Sequence, residues 1–147
     1  VPTDGDPQYL SDTAYPIGRL YERLGALKAK RVVVALDSCF SGAGGRSVLA
    51  KGVRPLVTTV EAAPTAGANL LSLAASSGDQ ISGTAEDQGH GLFTYYLLKG
   101  LNESGGKATV RGLLDAVRPK VQDHARRANR EQTPQLTGAG DADAGLD

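Results

Sequence analysis

Apolar positions along this chain recur with two periods, and the alternation between them predicts an α/β layout. Residues 31–36 form a short run, almost wholly apolar and rich in β-branched side chains, the pattern of a strand buried on both faces of a parallel sheet. Upstream, Ile17, Leu20, Tyr21 and Leu24 fall on one helical stripe. That stripe predicts a helix over 14–25, capped by Thr13, with Pro16 in its first turn and Gly25 at its end. The Pro/Gly/Asp-rich segment 1–11 predicts an extended loop. Residues 48–54 lack apolar periodicity and predict an exposed connection. Segments 55–60 and 69–75 predict two more strands, separated by the Ala/Pro/Thr/Gly stretch 62–68.

The second half is mostly helical by pattern. Leu92, Tyr95, Tyr96 and Leu98 lie on or beside the buried face of a helix over 91–101, which 102–106 closes. Thr109 caps a longer helix reaching about residue 128, with Val110, Leu113, Leu114, Val117 and Val121 as its apolar stripe. Pro119 inside that stripe predicts a kink or break near Arg118. Residues 132–136 predict a last strand at a sheet edge, because Pro134 cannot donate to a central ladder. From Gly138 the Gly/Ala/Asp tail predicts disorder. No internal repeat is visible.

Composition changes this picture little. A chain of 147 residues suits one domain. Sixteen basic and sixteen acidic residues balance, so there is no footprint for nucleic acid or a membrane surface. One cysteine excludes an internal disulfide, and with two histidines it argues against a structural zinc site. The free cysteine leans slightly toward a cytoplasmic setting. No apolar run is long enough to span a bilayer. The chain opens on Val1-Pro2-Thr3 with no visible signal peptide, an opening expected of a fragment.

The candidate chemistry sits where the first strand ends. Asp37-Ser38-Cys39 is followed by the small, flexible loop Ser41-Gly42-Ala43-Gly44-Gly45, and catalytic groups in open α/β sheets gather at the carboxyl ends of strands. Cys39 is the candidate nucleophile; it would act as a thiolate and need a base. Its backbone amide is a candidate oxyanion donor. Asp37, two residues earlier, would line the pocket that receives a substrate side chain, and an unpaired carboxylate there favours Arg or Lys. The competing reading of Asp37 is a loop cap that satisfies backbone amides. Cys39 itself could be a buried small hydrophobe.

Other chemistries fail on spacing. A tyrosine-phosphatase loop would need arginine at position 45, which is Gly45; Arg46 comes one residue late. A nucleophile elbow would need glycine at position 37. The run 42–47 lacks the third glycine of a dinucleotide fingerprint.

The segment D-S-C-F-S-G-A-G-G-R-S at 37–47 resembles the catalytic-cysteine motif of caspase-like cysteine peptidases, on the metacaspase side of that family. Three further stretches agree in order: A-A-S-S-G-D-Q-I-S, G-H-G-L-F-T-Y-Y-L-L-K-G-L and N-R-E-Q-T-P-Q-L. The nearest relatives look to be bacterial caspase-like proteins. The resemblance implies a three-layer α/β/α fold whose first strands are missing. It implies residues 1–45 as the end of a large-subunit part, 46–68 as linker and intersubunit region, and 69–137 as a small-subunit part. Cys39 matches the family nucleophile, and Asp37 matches the acidic residue that favours Arg or Lys. Ser76 and Ser77 fall on a loop lining the same pocket, followed there by Asp79 and Gln80. Arg46, Lys51 and Arg54 fall at the subunit junction and would be self-cleavage points. The family's catalytic His-Gly lies upstream of Val1, so the partner implied first is that upstream segment. His90-Gly91 imitates this motif at the start of a helix.

The function implied is a cysteine endopeptidase acting on proteins or peptides after Arg or Lys, with the base outside this chain and no cofactor. Calcium enters only through the resemblance, and no acidic residue follows Cys39 in its loop. A caspase-like scaffold without catalysis is the second reading, and a Rossmann-like nucleotide binder the third. The bland expectations are that His124 lies on a solvated basic face and that Tyr95 and Tyr96 are core and rim.

Overall fold

The structure, a computed structural model, describes residues 5–6, 9–38, 68–77, 80, 82–85 and 88–146. A mixed sheet is built from β1 (Val32–Leu36), β2 (Leu70–Ala74) and the last strand, β5 (Gln135–Gly138). β1 runs parallel to β2, with Val32 opposite Leu70 and Leu36 opposite Ala74; β5 runs antiparallel to β2 on its other side. Strand alternation sends neighbouring β2 residues to opposite faces. Leu71 and Leu73, with Ala75, pack into a core with α3 (Leu92–Glu103) and α4 (Val110–Arg127). On the other face the hydroxyl of Ser72 meets that of Tyr21 at 2.9 Å, which docks α2 (Ile17–Gly25) there. Helices therefore cover both faces: the predicted three layers.

β1 departs from its expected burial. Its residues alternate between half-buried and exposed, and Val33 retains 38% exposure. Val33 and Ala35 share a face with Leu71 and Leu73, but the α3–α4 layer centres on β2, so it covers β2 and not β1. The expected strand over 55–60 lies outside the described residues.

The helix entering β1 starts later than its stripe suggests. Residues 10–13 form a separate turn, α1 (Leu10–Thr13), inside the segment expected to be extended. Thr13 does not cap α2; its hydroxyl donates to the carbonyls of Asp6 and Tyr9. Pro16 disfavours helical geometry at Tyr15, so α2 begins at Ile17 with Pro16 as its N-cap.

Between β2 and α3 lies a small ribbon absent from the sequence pattern, β3 (Thr84–Ala85) against β4 (His90–Gly91). α3 ends in a turn where Gly105 and Gly106 take φ of 58° and 77°, backbone that glycine adopts without strain. Thr109 caps α4, its hydroxyl accepting the Gly112 amide at 3.0 Å. The predicted stripe from Val110 to Val121 is wholly buried. Pro119 does not break α4, which runs on to Arg127.

The end of the chain corrects two further expectations. Gln132, expected inside the last strand, precedes it: β5 starts only after Pro134. The tail expected to be disordered packs back on the domain. Ala142 is buried, its carbonyl accepts the Arg111 amide, and Leu146 returns to the Ala108 carbonyl. The Arg31 side chain also donates to the carbonyl of Gly145. Small side chains there let the backbone lie close to β2, as at Gly140, where a Cβ would meet Leu71 at 3.0 Å.

Candidate active site

Parallel pairing sets the ends of β1 and β2 side by side. The amide of Ala75 donates to the Leu36 carbonyl at 2.9 Å, so Asp37 and Ser38 leave the sheet beside Ser76 and Ser77. The sequence readings at Asp37, Ser76 and Ser77 thus converge on one sheet end. Cys39, Asp79, Arg46, Lys51 and Arg54 lie outside the described residues.

Asp37 is half-buried and faces the start of α3. Its Oδ2 accepts the backbone amide of Thr94 at 2.9 Å and the Thr94 hydroxyl at 2.7 Å. Thr94 is the third residue of α3, where a helix amide has no intrahelical partner. The preceding Gly91 offers no side-chain cap, so Asp37 caps α3 from another element. Capping therefore occurs, but on a distant helix instead of on the residue's own loop. Gly91 makes room for it: a Cβ there would stand 2.1 Å from Asp37 Oδ2. No lysine or arginine among the described residues pairs with Asp37.

The loop after β2 is tied to the same place. Ser76 Oγ lies 3.3 Å from the Gln80 carbonyl and 3.4 Å from Ser82 Oγ, and Ser82 Oγ lies 3.4 Å from the Ser38 carbonyl. Ser77 accepts the Gln80 amide on its carbonyl at 3.0 Å. The side chain of Gln80, given no role from sequence, accepts the Thr133 amide at 2.7 Å. Gln132, fully buried, bridges the Gly83 amide and the Ala75 carbonyl. Thr94, Gly91, Ser82 and Gln132 were not legible as site residues. The only signal was that all four fall inside stretches matching the family.

His90 lies exposed on β4 immediately before α3, as its place between glycines suggested. His124 corrects its expectation of a solvated face. It is half-buried, with Nδ1 3.2 Å from the Tyr96 hydroxyl and its ring edge-on to Tyr96, which meets Tyr95 in the same manner. These side chains line a cavity of about 430 Å³ with Thr84, Leu92 and Arg130. The cavity opens on a different side of α3 from Thr94, and Asp37, Ser76 and Ser77 do not line it. Among the described residues, no three His, Cys, Asp or Glu side chains are grouped to hold a metal ion.

Residues 8–141 match the sequence model of the caspase domain, peptidase family C14. The chain belongs to the caspase-domain family. No curated protein matches it by sequence. The caspase domain is a cysteine-peptidase domain, so peptide-bond hydrolysis is the chemistry of this chain's family. Its α/β architecture agrees with the mixed sheet and two helical layers described above.

Proposed function

We propose that this chain carries the nucleophile and the specificity pocket of a metacaspase-type cysteine endopeptidase that cuts after Arg or Lys. Cys39, two residues beyond Asp37, attacks the carbonyl carbon as a thiolate. The tetrahedral oxyanion is held in part by the Cys39 amide. Collapse breaks the C–N bond as a histidinium gives its proton to the leaving amine. Water, deprotonated by the same histidine, then hydrolyses the thioester. That histidine comes from a segment preceding Val1, and Val33 and Ala35, exposed on β1, are apolar surface for such a segment to cover.

One observation carries the specificity: a half-buried carboxylate at the strand end, fixed through one oxygen and without a cation of its own among the described residues. A cationic substrate side chain would neutralise it through the other oxygen. Ser76 and Ser77 form the adjoining wall, and Asp79, two residues further along the sequence, is assigned to the same pocket. Arg46, Lys51 and Arg54 are self-cleavage points under this preference; the steps above use no cofactor, and calcium enters only through the family resemblance.

The test is covalent. The protein carrying the segment before Val1 is treated with a peptidyl-Arg acyloxymethyl ketone and mapped by mass spectrometry. Modification of Cys39, slower with a peptidyl-Asp reagent, is expected. A Cys39 that accepts a simple maleimide but ignores the Arg reagent would point instead to a caspase-like scaffold without catalysis.

A further inference from the structure

Gln132 is 1% exposed, and polar side chains are seldom buried so completely unless both ends are used. Here they are. Its Oε1 accepts the Gly83 amide at 2.8 Å, and its Nε2 donates to the Ala75 carbonyl at 3.0 Å. Ala75 is the first residue beyond β2, and Gly83 the last before β3. One carboxamide therefore clamps both feet of the loop 76–82. Gln80, inside that loop, makes a second strut to the amide of Thr133, the neighbour of Gln132.

The clamp continues to the candidate pocket by backbone contacts. The Gly83 carbonyl accepts the amide of Leu92, the first residue of α3, at 2.9 Å. Two residues on, Thr94 holds Asp37. On the other side, Ser82 reaches the carbonyl of Ser38, the residue before Cys39.

We infer that Gln132, assisted by Gln80, is a positioning residue for the substrate pocket: it sets the loop 76–82 and, through Gly83 and the start of α3, the carboxylate of Asp37. The inference rests on the peptidase reading above for what the pocket binds. The brace itself is independent of that reading. Removing the carboxamide leaves the Gly83 amide and the Ala75 carbonyl buried without partners, and they regain hydrogen bonds only if the loop moves toward water.

The test compares Gln132→Met, which keeps the bulk, and Gln80→Ala, at the half-buried second strut, with Val121→Ala in the α4 core. Two quantities are read in the full protein: hydrogen exchange of the 75–83 segment, and kcat and KM on an Arg peptide. Gln132→Met is expected to speed exchange in that segment by about ten-fold or more and to raise KM by about ten-fold, with kcat changed less. Gln80→Ala should do the same to about three-fold. Val121→Ala should lower the melting temperature while leaving loop exchange and KM alone. Unchanged loop exchange in both glutamine variants overturns the inference, as does a KM that moves equally in Val121→Ala. Where Gln132→Met does not fold, Gln80→Ala decides by the same two readings. A wild-type protein that turns over no Arg peptide counts against the peptidase reading, and the exchange measurement alone then decides the brace.

Discussion

Thr94 gives both its donors to one carboxylate oxygen, its amide at 2.9 Å and its hydroxyl at 2.7 Å to Oδ2 of Asp37. A residue at the end of β1 thereby fixes the start of a helix that begins far along the chain. Among the described residues Thr94 bonds only Oδ2, and the proposed specificity assigns Oδ1 to the substrate cation. Replacing Thr94 by Val removes the hydroxyl and keeps the amide. Thr94→Val is expected to cost about 1.5 kcal/mol in urea unfolding, the low end for one hydrogen bond to a charged group because the contact is only half-buried. Asp37→Ala, which loses both bonds and the charge at the helix start, should cost about 2 kcal/mol.

Gly91 permits that contact by having no side chain. Its φ of −59° suits any residue, so the requirement is space and not backbone freedom. Gly91→Ala puts a methyl group into Asp37 Oδ2 and must push the carboxylate off Thr94. A loss of about 1–3 kcal/mol is expected, the range for overpacking. Calorimetry of the double variant Gly91→Ala/Asp37→Ala checks the cause. With the carboxylate gone, the alanine at 91 should add little further loss.

Tyr21 and Ser72 are 2% and 3% exposed, and their hydroxyls bond to each other at 2.9 Å between α2 and the sheet. Tyr21→Phe keeps the packing but strands the Ser72 hydroxyl. A loss of about 1–2 kcal/mol is expected in thermal unfolding. Adding Ser72→Ala should recover part of it, because no polar atom is then left unpaired.

The helical half of the fold was legible because packing and local signals agree there. The glycines that close α3, the Thr109 cap and the α4 stripe that follows all ask for the same two helices. β1 was harder. An apolar run reports that a strand forms, but not which of its faces another element covers, and the α3–α4 layer covers β2 instead. At the site, Asp37 stood out as a charge ending an apolar strand. Its partner Thr94 did not, since a threonine in the first turn of a helix looks the same whatever packs on it. Gln132 was hidden for a related reason: burial of a glutamine depends on a loop many residues away.

The tail gives a separate check on the fold. Composition alone suggested disorder, yet Ala142 and Leu146 pack on the core and Asp143 pairs with Arg111 at 2.8 Å. The ion pair is exposed and contributes little. The apolar contacts matter more. Deleting residues 141–147 is expected to cost about 2 kcal/mol, near the value of burying one large aliphatic side chain, measured as a lower urea midpoint. A midpoint equal to that of the intact chain would mean that the tail does not pack in solution.

The central claim is that the charge of Asp37 selects a basic residue for attack by Cys39. Its most direct measurement is kcat/KM on matched peptides ending in Arg and in Asp, for the wild-type protein with its upstream segment and for Asp37→Asn. Wild type is expected to cleave the Arg peptide and spare the Asp peptide. Asp37→Asn keeps an acceptor for Thr94 but should lose about 100-fold on Arg, roughly the value of a charge-assisted pair. An Asp37→Asn protein that cuts the Arg peptide as well as wild type would contradict the account.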